Sequence, residues 1–209
     1  MSQFFKIYPD NINSRLIKQA TEMMRDGGIV VYPTDSGYAL GCHLDDKNAV
    51  TRIRQIRQLD EHHYLTLMCR DLSEISRFAK VNNAQFRLLK SNTPGSYTFI
   101  FEATKEVPKR LQHAKRSTIG IRIPDHPVAL ALLEELGEPM LSSTLILPDV
   151  EWPLNDAELI RELLEKQVEL VIDGGAVSVD FTTVIDLTAD TPVLLRQGKG
   201  DVSQFGINA

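Results

Sequence analysis

Gly27-Gly28-Ile29-Val30-Val31-Tyr32-Pro33-Thr34-Asp35-Ser36-Gly37-Tyr38-Ala39-Leu40-Gly41 is the stretch around which this chain is arranged. A short β-branched run, residues 29–31, opens behind two glycines and meets Pro33. Proline has no N–H to give a sheet ladder, so a buried strand is predicted to end there. The exit that follows is dense in polar groups. Thr34, Asp35, Ser36 and Tyr38 place three hydroxyls and a carboxylate within five residues, and Gly37 and Gly41 leave room for close backbone approach. Two readings are open at this point. Such residues satisfy their own backbone in Asx and Ser/Thr turns, and the same groups make a ligand site where a loop presents them.

The surrounding chain has 209 residues, 43% hydrophobic and 24% charged, a composition that builds one substantial core. One domain over residues 1–209 is expected, with a short lead-in over 1–12. The start, Met1-Ser2-Gln3-Phe4-Phe5-Lys6, lacks the cationic opening and long apolar centre of a signal peptide, and no apolar run approaches the ~18 residues of a membrane span. A cytoplasmic protein without a membrane partner is expected. Cys42 and Cys69 have no CxxC spacing and sit in apolar company, which predicts buried free thiols and no metal site. His62 and His63 are adjacent and point apart on either a strand or a helix, while His113 and His126 are expected at the surface or at a helix cap. The chain contains no His-Glu-x-x-His, no Gly-x-Ser-x-Gly elbow and no phosphate-loop spacing around Gly198-Lys199-Gly200. Zinc hydrolases, nucleophile hydrolases and P-loop enzymes therefore find no support.

The net charge of −5 argues against wholesale nucleic-acid binding, but its distribution is uneven. Over residues 105–122, Lys105, Lys109, Arg110, Lys115, Arg116 and Arg122 stand against Glu106 alone, with a second basic cluster at Arg52, Arg54 and Arg57. A basic face on an acidic protein suits a nucleotide or an RNA backbone, although charge runs also arise as plain solvated surface.

Periodicity organises the rest. Asn13 or Ser14 caps a helix with a stripe of Leu16, Ala20 and Met23, Ile17 and Met24 beside it, stopped at Gly27. Asp45 or Asp46 caps a second helix with Ala49, Val50, Ile53 and Ile56 inward and Arg54 and Arg57 on a neighbouring face. Residues 64–68 read as a strand. Asp71 opens a short helix carrying Leu72, Ile75 and Ala79, and Asn82 or Asn83 opens another with Phe86 and Leu89 inward. After the Pro94-Gly95 turn, residues 97–101 alternate as a strand with Thr98 opposite its aromatic neighbours. Residues 118–123 form another strand, in which Arg122 is the odd member. A helix over 127–136 ends at Gly137, residues 140–147 read as a strand, and Asn155 or Asp156 caps a helix reaching Glu165. Three short strands follow, at 168–173, 182–187 and 193–196. Interleaved helices and strands indicate α/β, and strands adjacent in sequence near the C-terminus call for antiparallel pairs, so the sheet is expected to be mixed.

The order Tyr32-Pro33-Thr34-Asp35 with Tyr38, Leu40 and Gly41 resembles the signature of the YrdC/YciO family, whose best-known members are threonylcarbamoyl-AMP synthases. The similarity extends along the chain. The family's Pro-Gly-x-Tyr-Thr appears as Pro94-Gly95-Ser96-Tyr97-Thr98, and its Val-Arg-x-Pro-x-His-Pro appears as Ile121-Arg122-Ile123-Pro124-Asp125-His126-Pro127. Its C-terminal strands appear as Thr182-Thr183-Val184-Ile185-Asp186 and Leu195-Arg196-Gln197-Gly198. The spelling Arg70-Asp71-Leu72-Ser73 is closest to the YciO branch.

The resemblance implies a twisted mixed parallel/antiparallel sheet with flanking helices and a large basic concave surface. ATP and threonine bind within it in the synthase members, which join them with bicarbonate for a tRNA modification. By position, Thr34 and Tyr38 are expected at the amino-acid end, and Thr98, Arg122 and Arg196 at the nucleotide end. Arg57, Thr144 and Thr183 complete the expected substrate-binding set. No permanent cofactor is implied, and Mg²⁺ enters only with ATP as substrate.

Two departures stand out. Where the synthases carry Lys-x-Arg, this chain aligns as Arg57-Gln58-Leu59, and where they carry Ser-x-Asn it aligns as Thr144-Leu145-Ile146. Arg52-Ile53-Arg54 has the spacing of the missing pair, but its helical phase turns Ile53 inward and the cations to the flanks. A hydrogen bond to a charged phosphate contributes roughly 1.5 to 3 kcal/mol, so two losses slow the reaction on the order of a thousandfold. The favoured role is therefore nucleotide and/or RNA binding, with tRNA or double-stranded RNA as the partner and Lys109, Arg110, Lys115 and Arg116 as its contacts. The alternative is weak or redirected threonylcarbamoyl-AMP synthase activity on ATP, threonine and bicarbonate. Arg122 has two expected fates, an anion-binding group or an ion pair with an acid such as Asp186.

Overall fold

The computed structural model describes residues 1–60, 63–113 and 115–207, and His62 lies outside them. Ten strands form one mixed sheet: Gln3–Lys6 (β1), Val30–Thr34 (β2), Gly37–His43 (β3), Thr66–Met68 (β4), Tyr97–Glu102 (β5), Thr118–Arg122 (β6), Met140–Thr144 (β7), Leu170–Asp173 (β8), Thr183–Asp186 (β9) and Val193–Arg196 (β10). Their spatial order is β1-β8-β2-β3-β7-β4-β6-β5-β9-β10. The helices are Ser14–Arg25 (α1), Lys47–Arg57 (α2), Leu72–Phe78 (α3), Asn83–Asn92 (α4), Pro127–Leu136 (α5) and Ala157–Leu164 (α6). The expected α/β class and mixed sheet are both present.

The organising stretch differs from its expectation in an informative way. The strand does not stop at Pro33 but continues to Thr34, and Asp35 and Ser36 close a tight hairpin onto β3, which was expected as a loop. Pro33 is tolerated because of where its nitrogen points. Thr34 pairs with Gly37 across the two-residue turn, and hydrogen-bonded and non-bonded pairs alternate, so the Pro33 nitrogen faces away from β3. On that side, the β8 pairing runs through Val30 and Val31 only, so no ladder bond is lost. The lead-in likewise contains a strand, with β1 pairing parallel to β8.

Two apolar layers flank the sheet, sorted by strand alternation. Val30, Tyr32, Ala39, Met68 and Met140 face α1 and α5, whose Ile17, Ala20, Met24, Leu132 and Leu133 cover them. Val31, Leu40, Leu67, Phe99, Phe101 and Ile121 face the layer that contains Ile53 of α2, Ile75 of α3, Leu89 of α4 and Ile160 of α6. The caps fall on Asn13, Asp46, Asp71, Asn82 and Asp156, each accepting from a first-turn N–H. His126 caps α5 through Val128 N–H, and Gly137 closes that helix in the left-handed conformation.

Other elements shift from expectation. The buried stripe of α1 is Ile17, Ala20, Thr21 and Met24, rotated from the expected one, with Leu16 and Met23 at its margin. Phe86 lies outward at 39% exposure, because α4 carries one buried apolar position, Leu89. β8 and β9 are not neighbours: residues 174–182 carry the chain from β8, beside β2, to β9, beside β5. Only β9 and β10 form the expected C-terminal antiparallel pair.

The helical cover is incomplete, and this positions the site. The α1/α5 layer reaches as far as Met68 and Met140. Beyond these residues, alternation puts Thr66, Thr98, Ile100, Ser142, Thr144, Thr182 and Val184 on the same side of the sheet, where they line a cavity instead of a helix.

The end of β8 also fixes the hairpin, since a Cβ on Gly174 would meet Pro33 Cγ and, at 2.9 Å, Pro33 Cβ. Gly174→Ala is expected to lower stability by about 1–3 kcal/mol through overpacking. Urea denaturation measures it, and an unchanged midpoint would show that the proline ring yields.

Candidate functional site

At the tip of the hairpin, Asp35 gathers three other segments. Its carboxylate accepts from Arg122 Nη2 of β6 at 2.5 Å, from Ser96 Oγ at 2.5 Å and from the backbone N–H of Asp125 at 3.1 Å. Arg122 Nη1 donates to Ser36 Oγ at 2.8 Å, and the pair is buried, with side-chain exposures of 5% and 10%. Arg122 thus takes the ion-pair fate, with Asp35 as its partner and not Asp186, which lies 3.8 Å from Arg116 and accepts from Thr188. Burial pushes the Asp35 carboxyl up, but Arg122, Ser96 and the backbone donors outweigh it and hold the group below its ordinary value.

The cavity beyond the α1/α5 layer encloses about 250 Å³. Its floor is the hydroxyl-bearing strand face already described. Arg57, His63, Tyr64, Ser143, Ile146, Phe181 and Arg196 make the walls. Arg57, the last residue of α2, donates through Nη1 to Ser143 Oγ at 3.1 Å and to the Thr144 carbonyl, while its Nε is buried with no hydrogen-bond partner among the described residues. Arg196 donates to the Thr182 carbonyl at 3.0 and 3.1 Å and to Thr182 Oγ1 at 3.0 Å, with its guanidinium 5.1 Å from the Phe181 ring centre. Thr98 and Thr182 share a hydroxyl contact of 3.0 Å.

No aspartate or glutamate is among the described lining residues. The two arginines therefore sit partly desolvated without a carboxylate on the wall. Burial first, and then repulsion from Arg196, lowers Arg57 to about 10. Burial and Arg122 lower Arg196 as well. Loss of solvent, then Arg57 and Arg54, also keep His63 below the ordinary imidazole value. The shifts of Arg57 and Arg196 report burial and crowding of positive charge, and that of His63 favours its neutral imidazole beside them.

Of the expected substrate-binding residues, Arg57, Thr98, Thr144 and Arg196 meet in this cavity. Thr34, Tyr38, Arg122 and Thr183 do not line it, and their polar groups bind protein. Thr34 Oγ1 donates to the Gly37 carbonyl at 2.6 Å and accepts from Ser36 N–H at 3.1 Å, which is the self-satisfied turn reading. Tyr38 OH donates to the Gly175 carbonyl at 2.9 Å and accepts from Gly174 N–H at 3.2 Å. Thr183 Oγ1 donates to the Gly200 carbonyl at 2.7 Å, because alternation turns its neighbours Thr182 and Val184 to the cavity. Of the two departures, Ile146 lines the cavity, whereas Leu59 packs against the core.

Sequence reasoning passed over Ser142, Ser143, Tyr64, Thr66 and Phe181. A signal existed for Ser142, which lies two residues before the expected Thr144 and so shares its strand face, and the structure adds Thr66 as the direct cross-strand partner of Ser142. In the expected RNA segment, Lys109, Arg110, Lys115 and Arg116 are all exposed. Arg110 donates to the Leu44 carbonyl at 3.1 Å and lies 3.7 Å from Asp45. Arg116 lies 3.5 Å from Tyr64 OH at the cavity rim. Cys42 and Cys69 are buried free thiols, and burial raises Cys42 to about 12. Among the described residues, no helix is long and apolar enough to cross a membrane.

Comparison with known proteins places this geometry in context. Residues 22–198 match the family model described as Sua5_yciO_yrdC, telomere recombination. The uncharacterized protein YciO of Escherichia coli K12 is 61% identical over 205 residues, 98% of this chain and all of that one. Its crystal structure superposes with a TM-score of 0.95. A threonylcarbamoyl-AMP synthase of Bacillus subtilis is 29% identical over 188 residues, 89% of this chain and 54% of its own length. The crystal structure of Pyrococcus abyssi Sua5 complexed with L-threonine superposes with a TM-score of 0.87 at 28% identity, over 94% of this chain and 58% of that one. This chain spans a little over half the length of the last two proteins.

The Asp35–Arg122 pair sets an acid limit on stability. A carboxyl held below its ordinary value contributes stability that is complete above the unfolded value of 3.8 and is lost as the pH falls through the lower folded value. Asp35→Asn is expected to cost about 3 kcal/mol at neutral pH by leaving the buried guanidinium uncompensated. It should also flatten the loss of stability below that pH. Denaturation midpoints measured across pH 2–6 check both effects, and parallel profiles would count against the pair as the titrating element.

Proposed function

The chain belongs to the Sua5/YciO/YrdC family, and from that premise we propose that the Arg57–Arg196 cavity binds the phosphates of a nucleotide and supports weak or redirected threonylcarbamoyl-AMP synthase chemistry. The observation that carries this reading is a cavity wall holding two desolvated guanidinium groups, several hydroxyls and no carboxylate among the described residues. Such a wall is costly to keep empty of anions and favourable once one enters. The P. abyssi relative is complexed with L-threonine, and the synthase relatives take their name from the acyl-adenylate.

In that reaction the amine of threonine forms an N–C bond to the carbon of bicarbonate, which loses one oxygen as water, and gives a carbamate. A carbamate oxygen attacks the α-phosphorus of ATP, and pyrophosphate leaves with the electron pair of the broken P–O bond. No protein nucleophile is required. What the protein supplies is alignment and positive charge beside the oxygens of the pentacoordinate phosphorus and the leaving group, the role this reading gives to Arg57 and Arg196. Thr98, Thr144 and Thr182 offer hydroxyls to the same oxygens. Ile146 puts a hydrocarbon where the synthases are expected to present an amide, and Leu59 leaves the wall for the core, so the grip on the leaving group is weaker and turnover slower.

RNA is the second reading. It rests on the exposed Lys105, Lys109 and Lys115 and on Arg116 at the cavity rim beside Tyr64. An RNA phosphate track along this segment would run into the cavity mouth.

Arg57→Ala and Arg196→Ala are each expected to weaken ATP or pyrophosphate binding about tenfold or more, the range for a lost charged hydrogen bond, with calorimetric titration as the measurement. Ile146→Asn should raise threonine- and bicarbonate-dependent pyrophosphate release above the parent rate. Wild-type affinity in both arginine variants would remove the cavity from nucleotide binding. For RNA, neutralising Lys109, Arg110, Lys115 and Arg116 together should flatten the salt dependence of tRNA binding. Because Arg110 and Arg116 also hold Leu44 and Tyr64, a melting curve accompanies that variant, and an unchanged salt slope in a folded variant rules the segment out.

A further inference from the structure

Beside the cavity lies a second concavity that the phosphate chemistry does not use. Trp152, the one tryptophan of the chain, is 60% exposed and stacks on Phe181 at 5.9 Å between ring centres and 29° between planes. The two rings come from different connections, one before α6 and one before β9. They line a groove of about 340 Å³ together with Asp180, Gln197 and Lys199. Phe181 belongs to both concavities, forming a wall of the groove and a wall of the Arg57–Arg196 cavity. Arg196 lies against that same ring.

The stack is built and braced. Lys199 N–H donates to the Phe181 carbonyl at 2.9 Å. Gly198 lies so close beneath that a Cβ would meet the Phe181 carbonyl oxygen and, at 2.6 Å, that of Thr182. On the other side, Gly37 of the hairpin has φ +110° and lets the Trp152 connection approach: a Cβ there would lie 3.1 Å from Pro153 and 3.5 Å from the Ser178 carbonyl oxygen. Phe181 packs against the indole, and Trp152 nonetheless remains 60% exposed. An exposed, braced tryptophan is costly to hydrate and gains burial and stacking energy from a flat, polarisable partner.

We propose that Trp152 and Phe181 form a base-stacking shelf that receives the purine or pyrimidine of a mononucleotide whose phosphates reach Arg196 across the shared Phe181 wall. The inference rests on the phosphate reading of the cavity and names the part of the ligand that reading leaves undefined. Stacking is tolerant of base identity, so the shelf distinguishes nucleotides from bare phosphates more than it distinguishes one base from another. Asp180 and Gln197 are the polar side chains at the groove able to add preference at the base edge.

The single tryptophan makes the test direct. AMP, ribose 5-phosphate and pyrophosphate are titrated into the full chain, with tryptophan fluorescence and calorimetry followed in parallel. The expected result is quenching by AMP alone, with AMP binding at least tenfold more tightly than ribose 5-phosphate. Trp152→Ala should bring AMP down to the ribose 5-phosphate affinity while leaving pyrophosphate binding unchanged, which also shows that the variant is folded. If AMP and ribose 5-phosphate bind equally, or AMP binds without touching the fluorescence, the shelf is overturned and the phosphate cavity stands. Quenching by AMP without any pyrophosphate binding would keep the shelf and overturn the cavity reading, and binding of none of the three overturns both. Quenching by single-stranded oligoadenylate but not by AMP would give the rings to RNA and overturn the mononucleotide assignment.

Discussion

A single carboxylate ties the fold together. Asp35, at the turn between β2 and β3, accepts hydrogen bonds from Arg122 of β6, from Ser96 in the turn before β5 and from the backbone of Asp125 before α5. Three stretches that look unrelated along the chain, Tyr-Pro-Thr-Asp, Pro-Gly-Ser-Tyr-Thr and Arg-Ile-Pro-Asp-His-Pro, converge on it. A buried ion pair contributes little net energy against a well-packed apolar substitute, yet losing one partner leaves an uncompensated charge inside the protein. That asymmetry makes Asp35 a strong constraint on geometry. With the hairpin tip fixed to β6 and β5, the strand faces on either side of β7 and β4 are held in register, and the cavity keeps its shape.

The cavity inverts that arrangement. At Asp35 a buried cation has its anion supplied by the chain. At Arg57 and Arg196 two cations share a wall with hydroxyls and no carboxylate among the described residues. The same element, an arginine in a half-apolar setting, is completed inside the protein in one place and left open in the other. Neighbouring arginines thus differ in pairing according to which segments carry a carboxylate nearby. The downward shift of Arg57 reflects that setting, since burial and the nearby Arg196 both disfavour its charged form.

Much of this was legible in the sequence, and the misses have physical reasons. Helix caps are local hydrogen bonds between a side chain and an N–H two or three residues on, so Asp71 stands out by type and spacing, and the choices Asn82 or Asn83 and Asn155 or Asp156 resolve to Asn82 and Asp156. Thr98 was placed on the face opposite Phe99 by alternation, and that face is the cavity floor. The extent of β2 was misjudged because a proline is excluded only where the ladder needs its N–H, and which side of the strand is paired is decided by a partner more than a hundred residues away. The hydrogen bonds of the Tyr38 hydroxyl to Gly174 and Gly175 are not legible in the motif, because both lie more than a hundred residues along the chain, whereas the Thr34 hydroxyl closes onto Gly37 within it.

By itself, the sequence determined the α/β class, the order of the helices with the caps that open them to within a residue, and the segments that carry the family's signature, because these follow from local propensity, capping and period. Only the tertiary structure decided which arginine finds an acid and which does not, because a charge is neutralised through space. Arg122 meets Asp35 across 87 residues of chain, and Arg57 meets Ser143 across 86, with no signal in either local sequence. The partial reach of α1 and α5 over the sheet was likewise invisible along the chain. That unfinished apolar layer leaves seven residues, from Thr66 to Val184, facing an opening where a helix would otherwise lie.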